Sequence, residues 1–130
     1  MWIVDSSVWI DYFNGVPTVQ TDRLDAALGI EELAIGDLIL CEVLQGFRHD
    51  QDYRRAERAL LSLPVFVMGG RTLALQSANN YRLLRQRGVT VRKTLDCLIA
   101  TYVITHGFHL LHSDRDFNAF AQYLGLMIVV

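Results

Sequence analysis

Lysine is almost missing from this chain: Lys93 stands alone among twelve basic residues, and every other base is an arginine. Cysteine and proline are scarce too, at two residues each. Cys41 and Cys97 lie 56 positions apart in apolar stretches, which leaves neither a disulfide scaffold nor a closely spaced ligand pair for zinc. They read as buried, reduced thiols of a cytoplasmic protein. Two prolines and nine glycines exclude a disordered or collagen-like chain. No apolar run approaches the roughly 18 residues that a membrane span needs. The opening Met1-Trp2-Ile3-Val4-Asp5 has no basic leader before an apolar stretch, so an ordinary signal peptide is not expected.

What is present is apolar surface, 52% of 130 residues, enough for one domain, expected to span 1–130, with a core of its own. The net charge of −2 hides a partition. Residues 1–45 hold eight acids against Arg23, whereas residues 46–95 hold ten bases against three acids. Weak overall acidity does not suggest a non-specific nucleic-acid binder, but a local arginine band suits phosphate or an acidic partner.

Short apolar runs alternate with helical patterns. Ile3-Val4 is a strand that stops at Asp5, with Ser6 or Ser7 placed to cap a helix over Val8–Phe13. Helices follow over Thr18–Leu28, from an Asp37 cap to Phe47, over Asp50–Leu61 and over Thr72–Arg87. Another, capped by Thr94, ends at Gly107, and a last helix covers Arg115–Leu124. Strands are expected at Leu33–Ile35, Pro64–Met68, Phe108–Leu111 and Leu126–Val130. The pattern predicts an α/β fold, a mainly parallel sheet of about five short strands covered by helices on both faces.

Ligands of such sheets bind at the carboxyl ends of the strands. Asp5 lies just past the first strand, and Asp114 and Asp116 just past the fourth. Right-handed crossovers put these acids on one rim. Glu42 interrupts the apolar run Leu38 to Leu44, and Asp96 sits between Leu95 and Cys97. Carboxylates in apolar settings are costly unless paired or metal-bound, and four or five of them on one rim require a cation. All-oxygen ligation suits Mg2+ or Mn2+ rather than zinc. Taken singly, each acid also has a structural use as a cap, a turn residue or a partner of the helix dipole.

Four motifs in order carry a resemblance: Ile3-Val4-Asp5-Ser6-Ser7-Val8-Trp9, Cys41-Glu42-Val43-Leu44-Gln45-Gly46-Phe47-Arg48, Leu95-Asp96-Cys97-Leu98-Ile99-Ala100 and His112-Ser113-Asp114-Arg115-Asp116-Phe117. Together they resemble the PIN-domain ribonucleases, and within them the VapC-type toxins of bacterial toxin–antitoxin pairs, over essentially the whole chain. The resemblance implies a single-domain, three-layer α/β/α PIN-like fold and a metal-dependent endoribonuclease. Its acidic quartet falls on Asp5, Glu42, Asp96 and Asp114, with Asp116 as a fifth ligand or in place of Asp114. It also implies that Ser6 orients the site, that a protein antitoxin blocks it, and that the chain forms a homodimer.

Metal-assisted hydrolysis of RNA needs activated water and stabilised phosphate charge, which one or two Mg2+ ions on carboxylates provide. Substrate affinity must then come from metal and arginine, for which Arg48 and Arg115 are the nearest candidates; the alternative for each is an ion pair holding a carboxylate. His112 is a weaker candidate, as base or ligand. Trp9, Tyr12, Phe13 and Phe47 could stack RNA bases or form an antitoxin groove, but they fall at helical spacing and read first as core or interface packing. Arg54, Arg55 and Arg58 are placed to pair with Asp50, Asp52 and Glu57 on their own helix. A haloacid-dehalogenase-like phosphotransferase wants a second aspartate where Ser7 stands, and a receiver domain wants paired acids where Ser6-Ser7 stand. The non-enzymatic rival is a catalytically inactive PIN-like protein-binding module, against which the intact acid set counts.

Overall fold

A computed structural model describes residues 1–130. Five strands, β1 (Trp2–Val4), β2 (Leu33–Gly36), β3 (Val65–Phe66), β4 (His109–Leu111) and β5 (Met127–Ile128), form one sheet. Its order is β3-β2-β1-β4-β5 and every pair is parallel. Ile3 of β1 faces Ala34 on one side and Leu110 on the other. Ile3 and Val4 point to opposite faces, yet both are wholly buried, so helices must cover both sides of the centre.

The helices are α1 (Ser6–Phe13), α2 (Val19–Ala27), α3 (Asp37–Leu44), α4 (Asp50–Leu61), α5 (Gly70–Gln86), α6 (Thr94–His106) and α7 (Asn118–Leu124). The chain steps from β1 to β2 to β3 in one direction, then returns across the sheet to β4 and β5. Right-handed crossovers therefore put α1 to α4 on one face and α5 to α7 on the other. Packing agrees: α1 touches α2 and α3, and α3 touches α4, while α5 packs on α6 and α7. Between β1 and β4 the connections leave for opposite faces, the crevice where open α/β sheets bind ligands. Helix α6 is the most enclosed, with Cys97, Ile99, Ala100, Tyr102 and Val103 all buried.

Several boundaries differ from the expected ones. β3 shrinks to two residues: Pro64 has no N–H to donate and serves only as an acceptor, from the Ile35 N–H at 2.9 Å, and at the other end the Met68 N–H leaves the sheet for the Asp37 carboxylate. Gly36, not Asp37, occupies the cap position of α3; the Asp37 carboxylate instead accepts from the Leu38 and Met68 N–H groups at 2.8 and 2.9 Å, bracing the start of α3 against the segment after β3. Thr94 is the first residue of α6 rather than its cap, a position taken by Lys93. The last helix begins as a 3-10 turn over Arg115–Phe117. Cys97 is buried as expected, whereas Cys41 is exposed. It lies beside Leu40, Leu44, Tyr53 and Leu61, in a groove between α3 and α4. No helix is long and apolar enough to cross a membrane.

Candidate active site

β1 runs straight into Asp5, whose N–H donates to the Leu111 carbonyl at 2.9 Å, so the rung joining β1 to β4 carries the first acid. Asp5 is also the cap of α1. Its Oδ2 accepts from the Ser7 N–H at 3.0 Å and from the Ser7 hydroxyl at 2.6 Å. This corrects the expected capping by Ser6 or Ser7: the Asp5 carboxylate, in extended backbone, takes the Ser7 N–H, and the helix starts at Ser6 rather than Val8. The serines divide another task. The Ser7 hydroxyl accepts from the Ser113 N–H at 3.2 Å and ties the loop after β4 to Asp5. The Ser6 hydroxyl donates to Glu42 Oε1 at 3.1 Å, bringing α3 to the rim.

Asp96, in the first turn of α6, completes the inner group. Asp5 is 3% exposed and Asp96 5%. Each keeps one buried carboxylate oxygen, Asp5 Oδ1 and Asp96 Oδ2, without any hydrogen-bond partner. Burial pushes the Asp96 carboxyl up to about 6, with the Asp5 and Asp114 charges adding and Lys93 opposing. Burial raises Asp5 as well, against the hydrogen bonds from Ser7. Glu42 is raised by burial, opposed by the Ser6 hydroxyl and Lys93, with Asp5 adding. Asp5, Glu42, Asp96 and Asp114 thus share one electrostatic neighbourhood.

Asp96, Asp114 and Asp116 each offer a carboxylate oxygen within 4.8 Å of the other two. Asp114 caps the 3-10 turn, its Oδ1 accepting from the Asp116 N–H at 2.9 Å. Asp116 is gripped by Arg92: Nη2 lies 2.9 and 3.0 Å from its two oxygens, and Nε 3.2 Å from Oδ2. The wholly buried Phe117 anchors this turn in the core. His112 supports it from the other end, its Nδ1 accepting the Asp114 N–H at 3.2 Å and its ring packing on Phe117. Burial lowers the His112 pKa, against the Asp5 and Asp114 charges, which suits a neutral acceptor.

The donor set fits a hard divalent cation. It is all carboxylate oxygen; Asp96, Asp114 and Asp116 meet most closely, while Asp5 and Glu42 stand outside that trio, and one oxygen each of Asp5 and Asp96 is buried with nothing to satisfy it. Other candidates lie outside this group. Arg115 is exposed on the 3-10 turn, and Arg48 lines a groove with Phe13, Phe47, His49, Asp52 and Arg55. Neither forms an ion pair, nor do Arg54, Arg55 or Arg58 reach an acid on their helix; the one ion pair in the chain is Arg92–Asp116. Trp9, Tyr12, Phe13 and Phe47 pack on one another, with ring centroids under 6 Å apart. Reading by residue type passed over the roles of Ser7, Arg92 and Lys93. The signal for Ser7 was its place two residues after an acid at a helix start. For Arg92 and Lys93 it was two bases next to an acid-bearing first turn.

The sequence model of the PIN domain matches residues 2–123. This chain belongs to the PIN domain family. Similar to this PIN domain are ribonuclease VapC11 of Mycobacterium tuberculosis and a VapC ribonuclease of Mycobacterium bovis. Each is 31% identical over 128 residues, with 97% of this chain and 96% of the relative covered. Among solved structures, VapBC2 from Rickettsia felis, bound to a DNA fragment from its promoter, matches with a TM-score of 0.76 at 17% identity, over 98% of this chain and 96% of that one. VapC20 of Mycobacterium tuberculosis, a toxin that cleaves the sarcin-ricin loop, matches with a TM-score of 0.68 at 16% identity, over 92% and 94%. These structural likenesses establish the PIN fold, which the sheet order already described.

Proposed function

We propose that this PIN domain is an endoribonuclease that hydrolyses RNA phosphodiester bonds with Mg2+, or Mn2+ in its place, and acts as the toxin of a toxin–antitoxin pair. The observation that carries the reading is the pair of buried, unpartnered oxygens on Asp5 and Asp96, in acids whose charges act on one another and on Glu42 and Asp114. The VapC ribonucleases among its relatives support the reaction class.

In this reading Asp5, Glu42, Asp96 and Asp114 hold the ion, and Asp116 is a fifth acid within reach. A bound divalent cation supplies a water of lowered pKa and clamps phosphate oxygens. The chain's own residues supply the preorganisation. Ser7 fixes the Asp5 carboxylate and Ser6 fixes Glu42, so neither must reorient when the ion arrives. Asp96 is largely deprotonated above pH 6 and then offers its free oxygen. Arg115, exposed beside Asp114, and Arg48, beside Phe13 and Phe47, are the candidate phosphate contacts. The nuclease unit spans residues 1–130 and works in the cytoplasm as a homodimer. A protein antitoxin that covers the rim in a hetero-oligomer is supported by the toxin–antitoxin complexes among its structural neighbours.

Total cellular RNA incubated with purified protein in Mg2+, Mn2+ or EDTA, beside Asp96→Asn, tests the proposal. Discrete, metal-dependent products absent with the variant are expected, and sequencing their ends identifies the target. No cleavage in either metal by folded, antitoxin-free protein would overturn the reading in favour of an inactive PIN-like binding module.

A further inference from the structure

The five acids of the rim are not equivalent, because one of them already has a cation. We propose that Arg92 is a positioning residue that withholds Asp116 from the bound ion and leaves Asp96 and Asp114 as the ligands on that side of the site. The inference rests on the metal-site reading above.

Both Asp116 oxygens are engaged by the Arg92 guanidinium, through Nη2 and Nε. Asp114 commits only Oδ1, to the Asp116 N–H, and Asp96 Oδ2 is buried and uncommitted. The three carboxylates have oxygens within 4.8 Å of one another, so distance alone does not exclude Asp116 from a shared ion. Its backbone cannot swing away either, since buried Phe117 pins the turn and His112 holds its start. What separates Asp116 from Asp114 is the fork of Arg92. The Arg92 side chain is itself 66% exposed, so what holds the fork is its paired contact with the Asp116 carboxylate rather than burial.

The consequence is chemical. A further anionic ligand tightens the grip on a divalent cation but cancels part of its charge, and so weakens its pull on a bound water. By occupying Asp116, Arg92 keeps the ion more loosely held and more acidic. Removing Arg92 should therefore strengthen metal binding while slowing the reaction, whereas a residue that merely supports the loop would weaken both.

Mn2+ affinity of the intact protein, measured by electron paramagnetic resonance of free Mn2+, tests this with no reference to turnover. Arg92→Ala is expected to bind Mn2+ about five-fold more tightly, the size of effect expected from one nearby unit charge close to water. Arg92→Lys, which keeps the charge but not the fork, should fall between Arg92→Ala and wild type. In an Asp116→Asn background Arg92→Lys, which leaves the charge unchanged, should alter affinity less than two-fold, because no carboxylate is left to release. RNA cleavage by Arg92→Ala should show a lower kcat. Unchanged or weaker Mn2+ binding by folded Arg92→Ala and Arg92→Lys would overturn the proposal. So would a tightening that persists in the double variant, or a raised KM with unchanged kcat, which would make Arg92 a phosphate contact. If wild type bound no Mn2+ at all, the metal-site reading would fall with it.

Discussion

Replacing Asp96 by asparagine should make the metal-free protein more stable. The carboxyl is buried and faces Asp5 and Asp114, which pushes its pKa from 3.8 to about 6. The folded chain thus holds that proton more tightly than the unfolded chain does. Stability contributed by Asp96 is complete below pH 3.8, is lost as the pH rises toward 6, and stays lost above it. At about 1.36 kcal/mol per pKa unit the loss at pH 7.5 is about 3 kcal/mol, which solvent at the open rim reduces to about 1.5 kcal/mol. Asp96→Asn removes the charge and should recover that amount, a rise in Tm of about 5 °C. At pH 5, where the folded carboxyl is mostly protonated and the unfolded one mostly ionised, the gain should be about half as large. The assay is urea denaturation followed by circular dichroism, in EDTA, at both pH values. With saturating Mg2+ the order should invert, because the ion stabilises only the form that binds it. A variant less stable than wild type in EDTA at both pH values would refute the reasoning. It would mean that the Asp96 carboxylate is a structural acceptor and not a ligand awaiting a cation.

Ser7→Ala removes the 2.6 Å hydrogen bond to Asp5 and the acceptor for the Ser113 N–H. It should cost about 1–2 kcal/mol in denaturation and lower kcat for RNA cleavage. Phe117→Ala empties a wholly buried site beneath the Asp114–Asp116 turn. A loss of about 3–5 kcal/mol is expected on thermal melting, with weaker Mg2+ binding at temperatures where the variant is still folded. Gly36→Ala puts a Cβ into the buried Met68 thioether, which should cost about 1–3 kcal/mol. Adding Met68→Ala to it should then be less damaging than Met68→Ala alone, as read from the denaturation midpoints of the three variants.

The strand-then-acid pattern was legible because a parallel sheet converts chain position into place. A strand that ends in Asp5 and another that ends near Asp114 must deliver both acids to one rim, wherever the helices lie. Glu42 and Asp96 stood out because their neighbours are apolar, and the structure brings both to that rim. The Arg92–Asp116 pair was not legible. Its partners are 24 positions apart and meet only through the path of the loop before α6. The capping residues were misplaced by one position because Asp5, Ser6 and Ser7 are all competent caps, and the choice depends on where the rung from β4 stops. Cys41 was misjudged for a different reason. α3 is apolar on more than one face, and Leu44, Tyr53 and Leu61 leave the side toward α4 as an open groove.

The placement of β1 at the centre of the sheet also bears on how the protein comes into being. Asp5 is made before β4, but its strand pairs with β4, and the Ser7 hydroxyl that aims it meets Ser113 only after 106 further positions have been made. A nascent chain that lacks β4 has half of its central strand unpaired and no Asp114 or Asp116. Order of synthesis thus orders assembly of the rim: a chain that ends before β4 carries only Asp5, Glu42 and Asp96 of the five acids.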